Sequence, residues 1–173
     1  MKNIIYILIV FCNTIFAQQN KIQITDQISS GQLTELEFDN FKKFINYKND
    51  GINTAKHFIV NYRQPVSDCF YDHYQGKDFD ISWFEENIYE KLNLDSSILK
   101  LYYQNKKINS KKSNGKVGFD ENNFLYTLFF NKNKLCHGLI VINENGFCKV
   151  FTGEYDDKTI KSFMKELKII QKQ

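Results

Sequence analysis

Between residues 124 and 152 the apolar positions come in three short runs separated by polar turns. The first is Phe124-Leu125-Tyr126-Thr127-Leu128-Phe129-Phe130, the second spans 135–142 and the third 147–152. Runs of β-branched and aromatic residues bounded by turn residues predict strands. The connectors are the polar residues 131–134 and Asn143-Glu144-Asn145-Gly146, where Asn-Gly favours the positive φ of a tight hairpin turn. Beyond them the period changes. Ile160, Phe163, Met164 and Leu167 fall at i, i+3, i+4 and i+7, which predicts a helix near 157–170. Lys158, Lys161, Lys165 and Lys168 lie off that stripe, and Asp156 or Asp157 suits the positive helix start.

Register sharpens this expectation. Pairing Phe130 with Leu135 sets Leu128 opposite His137 and Tyr126 opposite Leu139. A four-residue loop over 143–146 sets Ile142 opposite Phe147 and Val141 opposite Cys148; a two-residue turn slides the pairing but keeps odd opposite even. One face then holds Ile140, Ile142, Phe147 and Phe151, and the other Leu139, Val141, Cys148 and Val150. Both faces are apolar, so both require a cover. The C-terminal helix covers one, and an earlier element must cover the other.

Upstream, residues 21–25 alternate as a short edge strand. Thr34 and Glu37 have capping-box spacing, and Leu33, Leu36, Phe41, Phe44 and Ile45 predict a helix near 34–47, ended by Asn49-Asp50-Gly51. His57 to Tyr62 predicts a strand, closed by Pro65, the single proline of the chain. Ser82 with Glu85 reads as a second capping box that opens a helix near 83–92, with Trp83, Phe84, Ile88, Tyr89 and Leu92 as its apolar residues. Residues 98–103 read as a strand and 104–119 as a lysine-rich loop. The fold class is therefore α+β: one domain with an antiparallel meander at about 124–152 plus one or two further strands, packed by helices near 34–47, 83–92 and 157–170. This order of elements resembles that of a thioredoxin-like core, without the paired cysteines that such a family carries at a helix start.

The first 17 residues add a location. Lys2, the apolar run 4–11 and Ala17 form the pattern of a secretory signal peptide, and that run is shorter than the roughly 20 residues a bilayer span needs. The expected mature chain, 18–173, suits one globular domain that is periplasmic or secreted, with no transmembrane segment. Lys plus Arg number 23 and Asp plus Glu 20, a balance that points to no partner. Charge concentrates once, in Lys100, Lys106, Lys107, Lys111, Lys112 and Lys116, with no acid between Asp95 and Asp120. With Tyr102 and Tyr103 beside it, this patch suits a protein or an anionic surface. It lacks arginine, the residue of bidentate phosphate recognition, so no nucleic acid is expected.

Three cysteines belong to the mature chain: Cys69, Cys136 and Cys148. An oxidising compartment favours disulfides. The hairpin sets Cys148 opposite a residue near 141–143, offset from Cys136 by about 16–24 Å, whereas a disulfide spans about 7 Å between Cα atoms. A bond from Cys69 to either of the others stays open, as does a role for Cys148 as a small buried hydrophobe. Cys69 after a strand and His137 at the start of a later one resemble the layout of papain-like and NlpC/P60-like hydrolases, which implies a catalytic pair Cys69 and His137. Gly76 interrupts the helix that would carry such a nucleophile. Asp68, Cys69, Asp72 and His73, with Cys136 and His137, are zinc-ligand types, but no CxxC or HxxxH spacing joins them. No metal and no cofactor is expected.

The reading that results is an exported domain that binds rather than catalyses. Its candidate binding residues are Asp68, Tyr71, His73, Tyr74, Lys106 and Lys107, provided that 68–80 and the lysine-rich loop meet at one end of the sheet. The rival is an extracytoplasmic enzyme using Cys69 with His137. The exported protein is expected to begin at Gln18, which an intact mass checks; retention of residues 1–17 contradicts the signal reading.

Overall fold

The computed structural model describes residues 23–25, 27–46, 54–64, 81–105, 117–130 and 136–170. Along the chain run β1 (Gln23–Thr25), β2 (Ile28–Gln32), α1 (Glu35–Asn46), β3 (His57–Arg63), α2 (Ile81–Asn87), β4 (Ile98–Gln104), β5 (Val117–Phe119), β6 (His137–Ile142), β7 (Phe147–Thr152) and α3 (Asp157–Glu166). A 3-10 turn, Tyr89–Lys91, follows α2. Among the described residues the strands form one seven-stranded sheet in the order β1-β2-β7-β6-β3-β4-β5. β3 is parallel to β4 and β4 to β5, while the other neighbours are antiparallel. The protein is thus a single α+β domain with a mixed sheet. The parallel β3–β4 pair requires a crossover, and α2 lies within it.

Both sheet faces are covered, as their apolar residues demand. Phe58, Val60, Tyr62, Leu101, Tyr103, Ile140, Ile142, Cys148 and Val150 pack with Phe41 and Ile45 of α1 and with Leu125, Phe129 and Phe130. On the opposite face Ile59, Tyr102, Leu139 and Val141 pack with Phe84 and Ile88 and with Ile160, Phe163 and Met164 of α3. Each buried side chain of this size contributes roughly 1.5–3 kcal/mol.

Local capping follows the sequence at two helices. The Thr34 N–H donates to Glu37 Oε2 (2.8 Å) and the Glu37 N–H to Thr34 Oγ1 (3.2 Å), a reciprocal capping box. Asp156 Oδ1 accepts the Thr159 N–H at 2.9 Å and starts α3. The second expected box does not form. α2 begins at Ile81, ahead of Ser82, and Glu85 turns to the sheet, where it accepts the Tyr102 hydroxyl (2.7 Å) and pairs with Lys100.

The meander expected over 124–152 does not form. Only its 137–152 part pairs, as the β6–β7 hairpin. Residues 124–130 are helical, with a π-helical turn over Tyr126–Phe130. The cause is Asp120, whose buried carboxylate accepts the N–H groups of Leu125 (2.9 Å) and Tyr126 (3.0 Å). Asn122 and Asn123, at φ 57° and 54°, turn the chain into that segment. Asparagine tolerates this left-handed region better than most residues. The aromatic residues that suggested a strand pack instead as a helix face, with Phe124 on Phe44 (4.9 Å between ring centroids) and Phe129 on Phe41 (5.9 Å). Polar β2 and short β5, neither of which stands out in the sequence, are strands through their partners β7 and β4.

The hairpin register also differs. Ile142 lies opposite Cys148 and Ile140 opposite Val150, even against even. The loop has three residues, 144–146. The Asn143 N–H donates to the Phe147 carbonyl (2.9 Å) and the Gly146 N–H to the Asn143 carbonyl (3.0 Å). Asn143 Oδ1 accepts the N–H groups of Asn145 (3.0 Å) and Phe147 (3.1 Å), and Gly146 closes the turn at φ 76°. A one-residue slip moves every β7 side chain to the other face. Cys148 and Val150 therefore join Ile140 and Ile142, while Phe151 turns to the α3 side. Asn143 Nδ2 also donates to the Leu167 carbonyl just beyond α3 (3.0 Å). Asn143→Ala is expected to cost about 2 kcal/mol through these lost bonds; urea unfolding checks this, and a loss within error of zero removes the side chain's role in setting the register.

Candidate functional site

β3 and β4 end together: Arg63 at the end of β3 is the parallel partner of Gln104 at the end of β4. Segments 65–80 and 106–116 continue the chain from these two ends. The two loops singled out from the sequence thus depart from the same edge of the sheet. Asp68, Cys69, Tyr71, Asp72, His73, Tyr74, Lys106 and Lys107 lie outside the described residues. His137 is described. It starts β6 opposite Arg63, not opposite Leu128, because residues 124–130 are not a strand.

Gln104, Arg63 and His137 form a row across three neighbouring strands. Strand alternation puts this row on the face that α2 and α3 cover, in line with Tyr102, Ile59 and Leu139. Arg63 and Gln104 are 5% and 6% exposed. One pleat further into the sheet sits Asn61, fully buried. Its Nδ2 donates to the Leu101 carbonyl (3.0 Å), and its Oδ1 accepts the hydroxyls of Tyr89 and Tyr155, each at 2.7 Å. Burial raises the pKa of Tyr89, Tyr102 and Tyr155 above the usual tyrosine value, so at neutral pH all three stay protonated donors.

Asp120 completes the edge on the opposite face. Besides the two backbone N–H groups, it accepts the Tyr62 hydroxyl at 2.8 Å, and its own N–H donates to the Gln104 carbonyl (2.8 Å). Desolvation raises its pKa above the ordinary 3.8, against the lowering by these hydrogen bonds. Two side-chain acceptors at the end of β4, Gln104 Oε1 and Asn105 Oδ1, are buried with no hydrogen-bond partner.

The cysteines divide. Cys148 is a free thiol, 1% exposed, and burial pushes its pKa up to about 12. It is a small core residue with no nucleophilic character. Cys136 is disulfide-bonded. Among the described residues no group of three His, Cys, Asp or Glu side chains is placed to hold a metal ion, and no helix is long and apolar enough to cross a membrane.

Sequence reasoning missed Asn61, Gln104 and Asp120. A signal existed for each: Asn61 and Gln104 are polar positions in otherwise apolar strand runs, and Asp120 precedes a paired asparagine. Arg63 is the one arginine of the chain.

Fold and site together define an α+β domain with a three-layer arrangement and a polar row, buried at Arg63 and Gln104, at the carboxyl edge of its parallel strands. No protein-family model, no curated protein and no solved structure matches the chain.

Asp120→Ala leaves three donors, two of them fully buried, without an acceptor and is expected to cost about 3 kcal/mol near pH 4. Because the folded pKa of Asp120 lies above its unfolded value, its protonated form contributes stability that is full below the unfolded value and lost as pH rises through the folded value. The cost of the substitution is therefore smaller at pH 7, as urea unfolding at the two pH values checks. A larger cost at pH 7 contradicts the upward shift.

Proposed function

We propose that this protein is an exported, non-catalytic binding module that takes its partner at the carboxyl edge of β3 and β4. One observation carries the reading. The parallel Arg63–Gln104 register sends segments 65–80 and 106–116 off the same edge. Those segments hold Asp68, Tyr71, His73, Tyr74, Lys106 and Lys107. Aromatic residues favour protein contact, and clustered lysines favour an acidic one. The partner class is accordingly a protein with an acidic face. Ligands of open sheets with parallel strands gather outside the carboxyl ends of those strands, a rule that applies here to β3, β4 and β5. Export rests on the signal pattern of residues 1–17.

A second reading, a thioredoxin-like core without paired redox cysteines, is favoured by the central strand order β4-β3-β6-β7, with α2 and α3 on one face. It concerns the scaffold and is compatible with binding at the same edge, since fold alone assigns no activity.

The test compares Lys106→Glu/Lys107→Glu and Tyr71→Ala/Tyr74→Ala with the wild type by cross-linking on intact cells of the source organism. Both variants are expected to keep the thermal midpoint and to lose about tenfold or more in recovery of the cross-linked partner, a difference of about 1.4 kcal/mol. Unchanged recovery in both variants removes the edge as the binding surface.

A further inference from the structure

We infer that this protein forms a two-fold symmetric dimer in which the acidic outer side of α2 lies on the basic outer side of α3 in the second copy. The inference goes beyond the binding reading and does not depend on it, because it uses a different surface. α2 and α3 cover the same face of the sheet. Phe84 of α2 meets Tyr155, which leads into α3, at 6.0 Å between ring centroids. Tyr89 and Tyr155 also share the Asn61 carboxamide. The two helices therefore stand side by side in one layer.

The helical period gives their outer sides opposite charges. Phe84 and Ile88 turn α2 to the sheet, and Ile160, Phe163 and Met164 turn α3 to it. The side of α2 directed away from the sheet carries Trp83 and Glu86, with Glu90 in the 3-10 turn that follows. The corresponding side of α3 carries Lys158, Lys161 and Lys165. α2 contains no basic residue. Glu85 is taken by Lys100 and Tyr102, and Glu166 of α3 by Lys149. Among the described residues no ion pair holds Glu86, Glu90, Lys158, Lys161 or Lys165. Trp83 is 49% exposed, although Phe84 meets its ring edge-on at 5.2 Å. An exposed tryptophan beside uncompensated charge has the character of an interface anchor.

A second copy matches this surface because one face carries both signs. A two-fold axis sets α2 of each copy on α3 of the other, so every contact is made twice. Glu86 and Glu90 lie four residues apart, as do Lys161 and Lys165, and four residues span about 6 Å of helix, so the two pairs of charges come into register. The other two-fold contacts, α2 on α2 and α3 on α3, set like charges against each other. Exposed ion pairs contribute about 0.2–1 kcal/mol each, so Trp83 carries most of the affinity and the charges select the orientation.

Sedimentation velocity of the purified protein over a concentration series tests the dimer. The wild type is expected to sediment as a dimer at about 100 μM. Its affinity is expected to fall about tenfold or more as salt rises from about 0.05 to about 0.5 M. Glu86→Lys/Glu90→Lys and Lys161→Glu/Lys165→Glu are each expected to be monomeric at the same concentration, with thermal midpoints unchanged, since surface substitutions of this kind alter stability little. Mixed in equal amounts, the two variants are expected to form a heterodimer, because the all-basic layer of one meets the all-acidic layer of the other. A wild type that remains monomeric at about 1 mM overturns the proposal. A dimer that survives both reversals, or a mixture that stays monomeric, overturns the contact of α2 with α3. Should a reversed variant lose its folding transition, Trp83→Ala decides: it is expected to weaken the dimer about tenfold or more, and an unchanged dimer overturns the proposal.

Discussion

The carboxamide of Asn61 is the interaction on which the rest of the fold depends. It sits in β3, the strand between β4 and β6, and is fully buried. An unpaired amide there would cost a large part of a domain's marginal stability. Instead its oxygen takes two tyrosine hydroxyls and its nitrogen reaches the Leu101 carbonyl. Tyr89 comes from the turn after α2, and Tyr155 from the connection between β7 and α3. One side chain thereby ties the β3–β4 crossover and the C-terminal helix to the same point of the sheet. A network satisfied in this way specifies one arrangement of its elements, because any other leaves a buried group without a partner.

A second polar centre organises the opposite face. Asp120 gathers two backbone N–H groups and the Tyr62 hydroxyl, and with them it holds the 124–130 helix against α1. The two centres flank the carboxyl ends of β3 and β4. Polar groups therefore stand where the sheet gives way to the two segments that carry the candidate binding residues.

Features governed by neighbours in the sequence were legible from it. α1 and α3 follow from their apolar stripes and from the caps at Thr34, Glu37 and Asp156, all of which act within one helical turn. β3, β4, β6 and β7 follow from apolar runs bounded by turn residues, and two covered sheet faces follow from the absence of a polar face. The role of Cys148 as a buried hydrophobe was legible for the same reason. Of the candidate site, His137 was visible as a residue at a strand start, but Asn61, Gln104 and Asp120 were not.

Tertiary structure decided the remainder, because each missed feature depends on a partner distant in the chain or on one hydrogen bond that outweighs propensity. Residues 124–130 have strand-like composition, yet the Asp120 carboxylate and the aromatic rings of α1 make them helical. β2 reads as polar coil until β7 supplies its hydrogen bonds. The faces of β7 depended on whether the loop after Asn143 held two, three or four residues, and that side chain settled it at three. The common edge of the two loops follows from the parallel pairing of β3 with β4, an arrangement that only the path of the crossover between them selects. The sequence by itself determined which segments bury apolar surface and where several of them start; which partners those segments meet, and on which side, was left to contacts that form only when the whole sheet assembles.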